Sequence, residues 1–508
     1  MPPIPGFHGT SRRPTPIALR TTPRRTTAKK PSEPEEKMEV PLTLRYIKSM
    51  APTRSLLILS LGLNWSCASS PDGLLDACDA VALSGAQDPT ADGILPRLES
   101  AKNVLMISID TLRIDRIGRY GCDKLSPFID SLLAEATVLD NHRSCSSWTL
   151  PSATCVLTGQ SPADLDFFPR ITTGEPIPKI PLPTETIASV LGDAGFQSVL
   201  VSSNLYISER SRLDTGYDKT ITKKQPAEVL LKTTLEEITA FQENDADTPF
   251  FAHVHLIDPH TPYAPPESYL DGLKALPEVP WDLDSTAGTR EMSEAWDDLS
   301  SAEKDATGQH LIYRYGAEVR YMDDELGKFF VSLENMNLLE DTLIVLWSDH
   351  GEQFWEHGAW GHGTSVHSGE SRAIAAFMGP GVPTQAWKAP TTHTDLGPTL
   401  LSALGLAVPE SWKGAIIGTH DESRPLFAAT APKNFPVSQS VALDDMLLIY
   451  DWEGGKSFFK HAEDPFEENN LYDADNADVQ RLWTYLEPEV KRLESLLPEL
   501  DGPVEIGP

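Results

Sequence analysis

The sequence predicts an α/β protein: a large, mostly parallel sheet flanked by helices, then a small C-terminal antiparallel sheet with one helix. Three observations carry that expectation. From Asn103 onward, apolar runs alternate with helical patterns, as in a parallel sheet with crossover helices. Several runs are apolar throughout, as strands buried on both faces are. Beyond about residue 420 the texture changes to short strands and tight turns.

The first strand is NVLMISID (103–110), followed by a crossover helix in SPFIDSLLAEA (126–136). SWTLPSATCVLTG (147–159) reads as a short helix, with Pro151 near its first turn and Gly159 beyond its last. Thr149 has the residue type that caps a helix through its side-chain oxygen. TETIASVLGDAG (184–195) is a second crossover helix, with Gly195 at C′. QSVLVSSN (197–204) and PFFAHVHLID (249–258) are further strands. A long amphipathic helix (314–336) precedes the strand in DTLIVLWSDHGE (341–352), and its Asp323 and Asp324 read as a solvated face. AIAAFMGPGVP (373–383) follows, and DLGPTLLSALGLAVP (395–409) reads as a helix stopped by Gly405 and Pro409. Residues 441–465 hold short strands around Gly454-Gly455, and 478–497 a final amphipathic helix. The implied division is 102–415 for the main domain and 416–508 for the smaller one.

Composition narrows the function. The net charge is −32, yet residues 1–50 hold ten Lys/Arg against four Asp/Glu. Of the 42 basic and 74 acidic groups in the chain, 32 and 70 remain for the body, a balance of −38. Such a body repels nucleic acid and anionic membrane at long range, so a nucleic-acid partner is not expected.

Residues 1–49 are basic, Pro-rich and Thr-rich without apolar period, the composition of a disordered segment. Residues 50–67 read as a secretory signal: Arg45, Lys48 and Arg54 precede the apolar run Leu56–Leu63. That run fits an h-region of ~7–15 residues and falls short of the ~20 that span a bilayer. Cys67 resembles the modified cysteine of a bacterial lipoprotein, giving a candidate membrane attachment, and Met38 or Met50 is then an alternative start. Residues 68–101 form a small, acidic, turn-rich tether. The expected location is periplasmic, cell-surface or secreted. There Cys78, Cys122, Cys145 and Cys155 can pair, or serve as free small core residues.

Four strands end in polar side chains: Asp110, Asn204, Asp258 with His260, and Asp349 with His350. Ligands of open α/β sheets sit in the crevice outside the carboxyl ends of parallel strands, so these endings predict one shared crevice. His260 and His362 lie in Pro- and Gly-rich loops; His357, His253 and His255 read as structural.

Taken in order, these blocks resemble the sulfatase family of the alkaline phosphatase superfamily. NVLMISIDTLRIDRIGRYG is similar to its first strand and metal loop, and SWTLPSATCVLTG to its nucleophile helix. HLIDPHTPYAPP, SDHGEQFWEHGAWGHG, DLGPTLLSALGL and LIYDWEGGKSFFKHAEDPFEENNLYD follow in register, so the likeness covers roughly residues 102–500. The resemblance implies an alkaline phosphatase-like fold and a divalent metal held by Asp110, Asp349, His350 and Thr149. It implies that Thr149 stands where the nucleophile does, that His260 contacts the transferred group, and that His362 lies near the leaving-group oxygen. Oxygen ligands favour Ca²⁺ or Mg²⁺; the imidazole and a Thr oxygen would also suit Zn²⁺ or Mn²⁺.

The sequence departs from the family pattern in four places. Thr149 replaces the Cys or Ser that is oxidised to formylglycine, so no formylglycine is expected. Ala153 replaces the motif's Arg, one helical turn on. Thr111 follows Asp110 where many relatives have a second Asp, and no Lys follows SVLVSSN, where Asn204 or Ser203 is nearest. A formylglycine hydrate expels sulfate through its second hydroxyl. Thr has none, whereas a Thr phosphate can be cleared by attack on phosphorus. The leading expectation is a metal-dependent hydrolase of sulfate or phosphate esters on a small molecule, glycan or lipid, with Thr149 favouring phosphoesters. The alternatives are a phosphoethanolamine-type transferase, and a catalytically degenerate protein that binds sulfated or phosphorylated ligands.

Overall fold

A computed structural model describes residues 93–497, apart from 123, 171–174, 420–422, 432–435 and 454. The basic segment, the signal-like segment with Cys67, Cys78 and most of the tether lie outside the described residues. No helix among the described residues is long and apolar enough to cross a membrane.

The main sheet has eight strands: β1 Asn103–Ile109, β2 Thr137–Leu139, β3 Gln197–Ser202, β4 Lys219–Thr222, β5 Phe250–Leu256, β6 Thr342–Ser348, β7 Ala375–Met378 and β8 Gln385–Trp387. Their order across the sheet is β8-β2-β7-β6-β1-β5-β3-β4. The block β6-β1-β5-β3-β4 is parallel throughout, and β7 runs antiparallel to β6 and β2. This is the mostly parallel sheet expected from the uninterrupted apolar runs, all of whose residues in β1, β5 and β6 are buried.

Helices cover both faces. On one side α1 (Pro127–Leu133), α4 (Ala227–Asp245) and α5 (Ser301–Asn335) pack against Leu105, Ile107 and Ile109 of β1. On the other, α2 (Thr149–Thr158), α3 (Ile187–Asp193) and α6 (Leu396–Ala403) pack against Val104 and Met106. Each fully buried Leu, Ile or Val in these layers contributes about 1.5–3 kcal/mol.

Alternation along the strands decides where the polar endings point. Val104 and Met106 face α2, so Ser108 and Asp110 follow them to that side. Leu343, Val345 and Trp347 do the same for Asp349, Phe251 for His253 and His255, and Leu200 for Asn204.

Some boundaries and roles differ from the sequence reading. Helix α5 begins at Ser301 because Ser300 and Glu303 form a reciprocal capping box, which the apolar period did not register. Asp323 on that helix is no solvated face. It is fully buried and accepts N–H bonds from Phe128 (2.9 Å) and Ile129 (2.8 Å), anchoring the start of α1. Helix α6 ends at Ala403, and Gly405 follows at φ +70°.

The C-terminal sheet is antiparallel, in the order β9 (Leu426–Thr430), β10 (Ser438–Leu443), β11 (Met446–Asp451) and β12 (Gly455–Lys460). Helix α7 (Ala477–Leu496) buries Val479, Leu482, Leu486, Val490 and Leu493 against Val441, Leu448 and Phe458 of this sheet.

Candidate active and metal centre

The carboxyl ends of β6, β1, β5 and β3 are neighbours in the sheet, the end at which open α/β sheets place their ligand crevice. Asp110, Thr149, Asp349 and His350 are buried together in it, and the rings of His260 and His362 lie 4.8 Å apart beside them. His362 is also 4.7 Å from the His350 ring.

Each carboxylate has one engaged and one free oxygen. Asp110 Oδ2 accepts from Asn204 Nδ2 (2.7 Å) and lies 3.2 Å from His255 Nε2. Asp349 Oδ1 accepts the backbone N–H groups of Thr111 (3.1 Å) and His350 (2.8 Å). His350 Nδ1 donates to the Gly351 carbonyl (2.9 Å). Asp110 Oδ1, Asp349 Oδ2 and His350 Nε2 are left buried without a hydrogen-bond partner. His350 Nε2 is 3.7 Å from Asp110 Oδ1 and 3.4 Å from Asp349 Oδ2. Orphaned buried polar atoms are costly. Three of them together, two carboxylate oxygens and one imidazole lone pair, are a donor set that fits a divalent cation.

Thr149 is not the helix cap that its residue type suggests. Trp148, extended at φ −153° and ψ 161°, holds the N-cap position, and Thr149 is already the first helical residue. Its hydroxyl accepts from Asn204 Nδ2 at 3.1 Å. A disulfide joins Cys145 to Cys155, tying the approach to α2 to that helix, and Cys122 is also disulfide-bonded. Gly159 closes the helix at φ +60°, where a Cβ would strike the Trp412 ring. Ala153 is fully buried in the apolar cluster that contains Trp148, Leu150 and Val156.

The backbone beside Asp110 is strained. Thr111, a β-branched residue, sits at φ +54°. Its N–H is spent on Asp349, and its carbonyl accepts from Tyr315 Oη at 2.7 Å.

Electrostatics separate the two carboxylates. Burial opposes the charge on Asp110, but the facing His260 and the His255 hydrogen bond hold it well below the usual carboxylate range. Burial and the Asp110 charge push Asp349 well above it. Burial and the neighbouring His362 push His350 well down, keeping its imidazole neutral. Burial also lowers His260, whose Nδ1 donates to the Thr261 carbonyl at 2.6 Å. Burial works against a charge on His362 too, yet the Glu352 carboxylate, 2.8 Å from its Nδ1, lifts it to about 9.

Two contributors escaped the sequence reading. His255 was read as structural, but it touches Asp110. Its signal was the alternation that puts residue 255 on the same face as Phe251. Glu352 is fully buried, joining His362 to Tyr263 Oη (3.0 Å), and no local pattern announces that pairing. Asn204, one of the four polar strand endings, reaches both Asp110 and Thr149. Asp258 turns away: it accepts from Ala227 N (2.8 Å) and anchors α4.

A family profile described as Sulfatase matches residues 102–406, more than half of the chain. The chain belongs to the sulfatase family. A choline-sulfatase of Rhizobium meliloti (strain 1021) is 27% identical over 179 residues, covering 33% of this chain and 34% of the relative. An arylsulfatase of Clostridium perfringens (strain 13 / Type A) is 23% identical over 258 residues, covering 47% and 53%. This sulfatase-family chain thus spans a third to about half of the length of these curated relatives. Among solved structures, a complex of BT4656 with its substrate D-glucosamine-2-N,6-O-disulfate superposes with a TM-score of 0.62 at 18% identity, covering 80% of this chain and 100% of that one. The phosphonate monoester hydrolase of Silicibacter pomeroyi gives 0.61 at 21%, covering 78% and 95%. These likenesses establish the fold.

Proposed function

We propose that this sulfatase-family protein is a metal-dependent hydrolase of sulfate or phosphate esters, and that Thr149 at the nucleophile position favours phosphoesters. The observation that carries the reading is the placement of the Thr149 hydroxyl. It stands at the start of α2 and shares Asn204 Nδ2 with Asp110, whose other oxygen is one of the three orphaned atoms. The disulfides support a location outside the cytoplasm, where such bonds persist. The sulfated glucosamine bound by one structural neighbour supports a sugar or another small ester as substrate, and the phosphonate monoester hydrolase supports phosphorus chemistry on this fold.

Asp110 Oδ1, Asp349 Oδ2, His350 Nε2 and the Thr149 oxygen would hold the metal ion. A bound divalent cation supplies charge stabilisation to the oxygens of the transferred group. The chain's own groups do the rest. Thr149 Oγ1, its proton given up to solvent, bonds to phosphorus while the bond to the leaving oxygen breaks, and Asn204 Nδ2 orients that oxygen. The N–H groups at the start of α2 face the anion. His362, kept protonated by Glu352, donates its proton to the leaving oxygen. Water, giving one proton to His362, then attacks phosphorus as the bond from phosphorus to Oγ1 breaks, which frees the Thr149 oxygen, restores the protonated His362 and releases phosphate.

Ala153 favours a second reading. Buried among apolar side chains, it leaves Thr149 without the motif's cation, as in a protein that binds phosphorylated or sulfated ligands without turnover. Metal content and turnover of p-nitrophenyl sulfate, phosphate and a bis-p-nitrophenyl phosphodiester, measured on one preparation, separate the two. Phosphoester turnover lost in Thr149→Ala and Asp349→Ala supports the hydrolase; bound metal with no turnover on any of the three supports the binding protein.

A further inference from the structure

A continuous line of hydrogen bonds runs through the sheet from Asp110 to Tyr217. His255 Nε2 lies 3.2 Å from Asp110 Oδ2, and its Nδ1 is 2.9 Å from Ser108 Oγ. Ser108 Oγ is 2.9 Å from His253 Nε2, and His253 Nδ1 is 2.9 Å from Tyr217 Oη. The strand register builds the line: Ser108 of β1 pairs with His255 of β5, and Met106 with His253, so both imidazoles flank one hydroxyl. Ser108, Asp110, His253 and His255 are wholly buried.

With Asp110 accepting and each imidazole carrying a single hydrogen, one direction follows for every proton along this line. The ionised Asp110 only accepts, so His255 Nε2 carries the hydrogen. The other nitrogen of a neutral imidazole is an acceptor, so the Ser108 hydroxyl donates to His255 Nδ1. Its single hydrogen spent, Ser108 Oγ accepts from His253 Nε2–H. His253 Nδ1 then accepts from the Tyr217 hydroxyl. His253 is neutral because burial, helped by nearby His255, lowers it to about 3.

We propose that Tyr217, His253 and Ser108 are positioning residues for the metal centre: they lock His255 in its Nε2–H tautomer, and His255 in turn clamps Asp110 Oδ2 so that Oδ1 faces the metal position. The proposal rests on the metal reading above. It assigns work to two histidines and a tyrosine that would otherwise be read as satisfied core residues. Outer partners of metal ligands typically contribute 10–100-fold to metal affinity.

Two measurements test it. In ¹⁵N-histidine-labelled wild-type protein without metal, long-range ¹H–¹⁵N spectra, assigned with His253→Gln and His255→Gln, should show both residues as Nε2–H tautomers. In Tyr217→Phe, which removes one hydroxyl at the far end, His253 should gain Nδ1–H population. Calorimetric titration with Mn²⁺, Zn²⁺ and Ca²⁺ should show about 10–100-fold weaker binding in Ser108→Ala and a smaller loss in Tyr217→Phe. An Nδ1–H tautomer at either histidine in the wild type overturns the proposal. So does wild-type affinity in both variants when Asp110→Asn has lost binding. Wild-type affinity in Asp110→Asn removes the metal assignment and the proposal with it, and the control identifies that failure as the metal reading's own.

Discussion

Thr149 and Asn204 are hydrogen-bonded at 3.1 Å across the crevice, the Asn204 amide donating to the hydroxyl while also reaching Asp110 at 2.7 Å. One amide therefore connects the group that would attack with the carboxylate that would hold the metal. Its Oδ1 accepts the Tyr206 N–H at 2.9 Å, which holds the amide in that orientation.

Asn204→Ala should lower kcat for a phosphodiester by about 10²-fold or more, the range for removing one donor that orients reacting oxygens. A steady-state comparison with the wild type checks this, and an unchanged kcat would place Thr149 under other control.

Thr149→Ala should remove phosphoester turnover by about 10³-fold or more, whereas Thr149→Ser should retain much of it, because the hydroxyl and not the methyl carries the chemistry. A trapped phosphorylated residue at 149, read by mass spectrometry after acid quench, would identify the bond that forms.

Adding a divalent ion should raise the melting temperature, because it neutralises two buried carboxylates that otherwise repel each other. At 100 times its dissociation constant the ion would add about 2.7 kcal/mol. Differential scanning calorimetry with and without chelator measures the shift, and Asp349→Ala should abolish it.

The Cys145–Cys155 bond closes a short loop directly before and within α2. Replacing both cysteines with Ser should cost about 2–4 kcal/mol in denaturant unfolding. Activity should fall with it, since that loop delivers Thr149 to the crevice.

Stability should fall as pH drops from 6.5 towards 3, and His393 is one reason. Burial lowers it to about 3 in the fold, where its Nδ1 is 3.0 Å from Ser152 Oγ and its Nε2 is 3.1 Å from the Ser348 carbonyl. The unfolded chain binds the proton first, so the contribution is complete above 6.5 and disappears as pH falls through that window. The slope is about 1.4 kcal/mol per pH unit for one such histidine. His393→Gln should show a shallower acid slope in urea titrations repeated across this range.

What the sequence determined by itself was the frame of the molecule. Continuous apolar runs made strands that must be buried on both faces, and alternation within them set which end residues share a side. That is why Asp110, Asn204, Asp349 and His350 could be placed at one end of the sheet from residue types and order, whereas Thr149 and the ligand roles came from the family resemblance. Tertiary structure decided what those residues touch. Thr149 lost the capping role because Trp148 holds the extended backbone, Asp323 left the solvent to anchor α1, and Glu352 found His362 and Tyr263. Partners such as Ser108 with His255, 147 positions apart, meet only through strand register, a property of two paired strands that neither one displays alone.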